Sequence, residues 1–168
     1  MLEVAIKYAD ELKERMYDIW FKDKYKYYNF CTYYQDIKLD GETWNKHEFV
    51  SVSKKEGVIG FICYEVNRQA NCCFGLGAVN FSEDKMTFGR DLGKALTDIF
   101  EKFNFNKLKF SVVVGNPIEK SYDKMIKKYG GRVAGIFRED ARLIDGNLYD
   151  VKQYEILRSE YMRARKKN

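Results

Sequence analysis

The stretch that most limits what this chain can fold into is VIGFICYEV, residues 58–66, which carries a single charged side chain. Polar turns, KKEG and NRQA, bound it. It is rich in β-branched and aromatic residues and too short for a buried helix, so it reads as a strand covered on both faces. A sheet containing such a strand needs apolar elements above and below it. HEFVSVS, just upstream, alternates apolar and polar residues and completes a hairpin, and NCCFGLGAVNF follows as a third strand with Gly75 and Gly77 inside it. Glycine weakens a strand interior. Two readings stand for this pair: a bulge or the close approach of a backbone or ligand, and tight packing beneath a helix.

Helical periodicity supplies the covering layers. Leu12, Met16, Ile19 and Trp20 share one face, as do Leu92, Ala95, Leu96, Ile99, Phe100 and Phe103, and so do Ile118, Tyr122, Met125, Ile126 and Tyr129. KLKFSVVV is a strand between the last two of these helices. Asn116 is predicted to cap the helix that follows, with Pro117 at its first position and Gly130-Gly131 as its stop. RVAGIFREDARLI and NLYDVKQYEIL form a closing hairpin across Asp145-Gly146, which has the chemistry of a type I′ turn. The expected order is helix, three strands, helix, strand, helix, two strands, in one domain: a helical part over residues 1–47, a core over 48–161 and a basic tail over 162–168.

The start of the second helix, MTFGRDLGKALTDIF, is unusual. Gly89 and Gly93 each cost a helix about 1 kcal/mol against alanine. A phosphate held by backbone N–H groups would compensate; a plain capped helix is the other reading.

Net charge is +5, but RSEYMRARKKN at the end holds five basic side chains and one acid, so everything before it is close to neutral. That placement favours a solvated terminus over a nucleic-acid grip. KDKYKYYNFCTYYQD, dense in tyrosine and lysine, has the ingredients for base stacking, but reads first as a helix or loop packing its rings on the core, placed where a substrate-facing lid would lie. No apolar run is long enough to span a bilayer, and the start of the chain lacks a secretory h-region, so the protein is expected in the cytoplasm and off the membrane. Cys31, Cys63, Cys72, Cys73 and the lone His47 show no metal-ligand spacing and read as buried thiols and a histidine without a zinc site.

With its elements in this order, the chain resembles the GNAT superfamily of N-acetyltransferases over residues 48–161. It looks most similar to the branch that includes the ribosomal-protein N-terminal acetyltransferases, whose ordered signature reads here as Gly135, Arg138-Glu139, Asp145-Gly146, Asp150, Tyr154 and Glu160-Tyr161. The resemblance implies an α+β acyl-CoA N-acyltransferase fold with a mixed, mostly antiparallel sheet and helices on both faces. It also implies acetyl-CoA as co-substrate, with its pantetheine arm between splayed fourth and fifth strands. Anchoring the family's pyrophosphate loop on Gly93 puts Phe88 where the family has Gln or Arg and Asp91 where it has an inner glycine. Gly89, Arg90, Asp91, Leu92, Gly93 and Lys94, with Asn116, are then the expected cofactor contacts.

Acetyl transfer needs an oxyanion donor, a proton for the leaving thiolate and a route for the amine proton. The resemblance implies a backbone N–H on the fourth strand for the first and a tyrosine in the Asn-initiated helix for the second. Tyr122 is the expected acid, with a packed core tyrosine as its other reading and Tyr129 as the alternative acid. NCCFGLGAVNF, which stands for the family's fourth strand, holds no carboxylate. Glu65 is therefore the expected base and Glu139 the next, unless water carries the proton. The reaction implied is acetylation of a primary amine on a protein N-terminus, a lysine or a small molecule. A catalytically reduced binding module is the rival reading, and exposed strand edges allow a homodimer.

Overall fold

A computed structural model describes residues 1–28 and 36–166 of the chain. Seven strands form one sheet: β1 (Leu2–Val4), β2 (Lys46–Ser53), β3 (Gly57–Asn67), β4 (Cys72–Asn80), β5 (Lys107–Val113), β6 (Arg132–Arg142) and β7 (Leu148–Leu157). Their order across the sheet is β1-β2-β3-β4-β5-β7-β6, and every neighbouring pair is antiparallel except β4 and β5. Four helices, α1 (Ala9–Ile19), α2 (Lys85–Thr97), α3 (Glu119–Tyr129) and α4 (Arg158–Arg165), cover it. Among the described residues, no helix is long and apolar enough to cross a membrane.

The apolar run of β3 faces both ways. Ile62, Tyr64 and Val66 join a core with Phe88, Leu96 and Phe100 of the α2 region and with Tyr122, Ile126 and Tyr161 of α3 and α4. Phe61 and Cys63 join a second core with Leu12, Met16 and Ile19 of α1. This is the period-2 alternation of a strand buried on both sides, which places α1 on one face and α2, α3 and α4 on the other. Gly60 permits the fit, since a Cβ there would collide with the Phe88 ring.

Several boundaries differ from the sequence expectation. β1 precedes α1 and pairs with β2, a strand too short to show a period. A turn of π-helix, Asp98–Lys102, extends α2. The basic end is not simply a tail: α4 buries Tyr161, whose ring stacks on Phe100 at 4.7 Å. The Asp145-Gly146 loop is not type I′, because only Gly146 has a left-handed φ, +79°. Gly146 N–H bonds Leu143 C=O and Leu143 N–H bonds Asn147 C=O, which makes a three-residue loop.

Candidate active site

β4 and β5 share only two register pairs, Cys72 with Lys107 and Cys73 with Leu108, and then separate. At the same level β4 bulges. Cys63 faces Gly77 and Glu65 faces Phe74, so Gly75 and Leu76 together stand opposite Tyr64. Gly75 has φ +64°, a left-handed conformation that costs other residues roughly 1–2 kcal/mol. Of the two readings for FGLGA, the bulge is the one found. A cavity of about 470 Å³ opens at this point, lined among others by Gly75, Leu76, Gly77, Ser111, Asn116 and Tyr122.

Tyr122 reaches the cavity from α3. Its ring packs edge-on against Phe110 at 5.1 Å and Tyr154 at 6.0 Å. Tyr154 also donates to Asp123 Oδ1 at 2.8 Å, and Lys152 reaches the same oxygen at 2.8 Å, so β7 holds α3 in place beneath the cavity. Burial pushes the Tyr122 hydroxyl well above the ordinary phenol value, so it stays protonated at neutral pH. Glu65 enters the same cavity from β3, the strand that carries Cys63 on the α1 face. Its Oε1 lies 3.6 Å from the point a Cβ on Gly75 would occupy, so the carboxylate stands beside the bulge and remains exposed to water. A phenol from the α3 layer and a carboxylate from β3 therefore share one cavity lining.

Neither alternative lies in the cavity lining. Tyr129 packs against Tyr161 at 5.3 Å. Glu139 sits on a bulge of β6 at φ +53° and donates its N–H to Asp150 Oδ1 at 2.9 Å. The aspartate of the family-like signature thus fixes the bulge of an edge strand through the Glu139 N–H.

The expected phosphate cradle is corrected by the structure. α2 begins at Lys85, not at Gly89, because Asp84 caps it: Thr87 N–H donates to Asp84 Oδ1 at 3.0 Å. Gly89, Arg90, Asp91, Leu92, Gly93 and Lys94 lie inside the helix, where their N–H groups belong to the i to i−4 ladder. Phe88 is a core side chain. Asp91 is 3% exposed, accepts from Ser51 Oγ at 2.6 Å and pairs with the Met1 ammonium at 2.9 Å. Lys94 pairs with Asp98 at 2.9 Å. Asn116 does line the cavity, although its side chain caps a turn at Ile118 N–H (3.1 Å) and α3 starts after it.

An acyl-CoA would find an arm-sized opening between the strands. It would find no glycine cradle at residues 89–94, and Asp84 and Glu83 occupy the start of α2. The residues fit the thioester arm and leave the diphosphate without the expected seat.

Sequence reasoning did not single out Tyr27, Tyr28, Lys46, Glu48 and Tyr64, which also line the cavity. The tyrosine-lysine stretch was the available signal for the first two; its continuation, Asn29 to Gln35 with Cys31, lies outside the described residues. Behind the cavity His47 is buried. Its Nε2 faces Thr43 C=O at 3.1 Å, an acceptor only, so Nε2 carries the proton and Nδ1 accepts from the Tyr64 hydroxyl at 2.8 Å.

No protein-family model matches the sequence, and no curated protein matches it significantly. Solved structures do. A chimera of Vibrio cholerae spermidine N-acetyltransferase SpeG and hSSAT superposes with a TM-score of 0.67 at 21% identity over 97% of this chain and 99% of its own. Vibrio cholerae spermidine/spermine N-acetyltransferase SpeG gives 0.60 at 24% identity over 73% and 71% of the two chains. A second SpeG–hSSAT chimera gives 0.59 at 26% over 73% and 71%. The chain has the GNAT fold. Within that fold the splayed β4–β5 pair and the bulge at Gly75 form the opening described above, and the mixed sheet with helices on both faces matches the expected class.

Proposed function

We propose that the chain is an acetyl-CoA-dependent N-acetyltransferase acting on a primary amine, with a small linear amine as acceptor, in the cytoplasm. One observation carries this reading: Tyr122 and Glu65, on separate elements, line one cavity at a strand bulge where β4 and β5 part. Solved neighbours include spermidine N-acetyltransferases, which supports the amine class, and Glu65, exposed in the lining, suits a cation, while Glu48 there is already paired with Lys46 at 3.4 Å. Gly135, Arg138-Glu139 and Asp150 keep the likeness to the ribosomal-protein branch as a reading of ancestry.

Bound donor supplies an activated acyl thioester. Glu65 takes a proton from the amine as the C–N bond forms, directly or through water. The peptide N–H at the β4 bulge offers a hydrogen bond to the oxygen that gains charge, and Tyr122 gives its proton to the sulfur as the C–S bond breaks. Gly75 and Leu76 shape that donor, and Asn116 and Lys46 border the arm and acceptor ends.

The helical state of residues 89–94 and the acids at the start of α2 favour a second reading, a binding module without turnover. Melting in acetyl-CoA together with thiol release on spermidine and on a peptide with a free N-terminus separates the two. A ligand at 100 times its Kd adds about 2.7 kcal/mol of stability. A shift with thiol release on either amine supports the enzyme, whereas a shift without release on any amine supports the module.

A further inference from the structure

The segment after α1 does more than border the cavity. Tyr28 donates its hydroxyl to Ala78 C=O at 2.9 Å, Tyr25 to Asn80 C=O at 3.1 Å and Tyr27 to Gly115 C=O at 2.9 Å. Ala78 and Asn80 belong to β4, and Gly115 lies just past the end of β5. Phe81 N–H bonds Ile59 C=O across β4 and β3. Because an antiparallel ladder alternates, the carbonyls of Ala78 and Asn80, paired in register with Ile62 and Gly60, point away from β3 and into the gap. They are the acceptors that β5 would have satisfied had the two strands stayed together. Phenol hydroxyls take that place, and they reach both arms of the opening.

The same segment is fastened outside the cavity. The Lys26 ammonium lies 5.3 Å and 5.4 Å from the ring centroids of Tyr27 and Tyr149 and 3.5 Å from Asp145 Oδ2, which also accepts from the Tyr149 hydroxyl at 2.6 Å. Lys24 pairs with Glu83 at 2.7 Å, just before α2. Residues 23–28 are thus attached to β4, to the loop after β5, to the β6–β7 loop and to the approach to α2.

We propose that residues 23–28 are a cross-tie that fixes how far β4 and β5 stand apart, and that Tyr27 and Tyr28 set the girth of the amine the site admits. The second half rests on reading the cavity as an amine acceptor site. With the ties made, the rings of Tyr27 and Tyr28 stand in the same lining as Glu65, whose carboxylate is exposed to water, a setting for a slender, unbranched cation. Loosening the ties widens the opening and admits branched amines.

The test uses the full chain with Tyr27→Phe, Tyr28→Phe and the double variant, which keep the rings and remove only the donated bonds. Hydrogen exchange is followed by mass spectrometry, and acetylation of n-butylamine is compared with that of sec-butylamine. The double variant is expected to exchange about tenfold faster in peptides covering residues 75–80 and 111–116, with β1 unchanged. Its preference for the linear amine is expected to fall at least about fivefold, through KM rather than kcat. The single variants each show part of the effect and serve if the double variant does not fold. Equal exchange in wild type and variants overturns the tie, and faster exchange with an unchanged amine preference overturns the specificity role. A wild type inactive on every amine, with the exchange contrast intact, overturns the acetyltransferase reading and upholds the tie.

Discussion

The environments of three side chains make the site testable residue by residue. Tyr122→Phe keeps the ring contacts with Phe110 and Tyr154 and removes only the proton, so kcat is expected to fall about 10²-fold with little change in melting temperature, measured by steady-state thiol release. Glu65→Gln should lower kcat/KM by a similar factor at neutral pH, and an unchanged value would assign the proton to water. His47 gives a stability signature. Burial, ahead of the weaker Thr43 bond that works the other way, holds its imidazole below the ordinary value of 6.5. The unfolded chain therefore binds the proton more readily than the folded one. Stability from His47 is complete above pH 6.5 and is lost as pH falls below it, so urea unfolding should show a decline under that pH that His47→Gln lacks. Glu65 was legible as the one charge in an apolar run, and Tyr122 as a phenol on a helical stripe. Phe88 and Asp91 were not, because an anchor on Gly93 says nothing of which way a helix faces: both point inward, one under Gly60 and the other to Ser51.

At the scale of elements, the misplaced start of α2 is the instructive case. The apolar stripe identified the helix correctly, yet the cap lay upstream in Ser82 and Asp84, where the Ser82 hydroxyl accepts from Asp84 N–H at 2.9 Å and Asp84 in turn accepts from Thr87. Short polar side chains before a first turn carry that signal; reading from the glycines inward overlooked it. Nothing lies within 4 Å of a Cβ built on Gly89 or Gly93. Gly89→Ala and Gly93→Ala should therefore stabilise the protein by about 0.8–1 kcal/mol each, raising the melting temperature by about 2–4 °C, without altering the shift produced by acetyl-CoA. A loss of that shift would restore the cradle to residues 89–94. The hairpin strands were legible because their apolar alternation is regular, whereas the turn chemistry of Asp145-Gly146 pointed to a two-residue turn and the loop has three residues. β1 was missed because three residues cannot show a period, and α4 because a helix with a single buried side chain, Tyr161, shows no apolar stripe.

Over the whole molecule the sheet behaves as two flanks sharing a narrow joint. Cys73 and Leu108, both fully buried, stand opposite each other at the last register pair before β4 and β5 part. Leu108→Ala is expected to cost about 2–5 kcal/mol in urea unfolding, because it empties volume from the larger core where β4 and β5 pair. A loss well under 1 kcal/mol would mean that the helices alone hold the flanks together. Sequence order and sheet order also diverge: β7 lies between β5 and β6 although it comes after both in the chain. In the chain β6 precedes the strand that seals β5, so the edge of β5 has no partner until β7 docks between them. Whatever delays the docking of β7 prolongs that exposure, so for this fold the arrival of one inner strand is a matter of solubility.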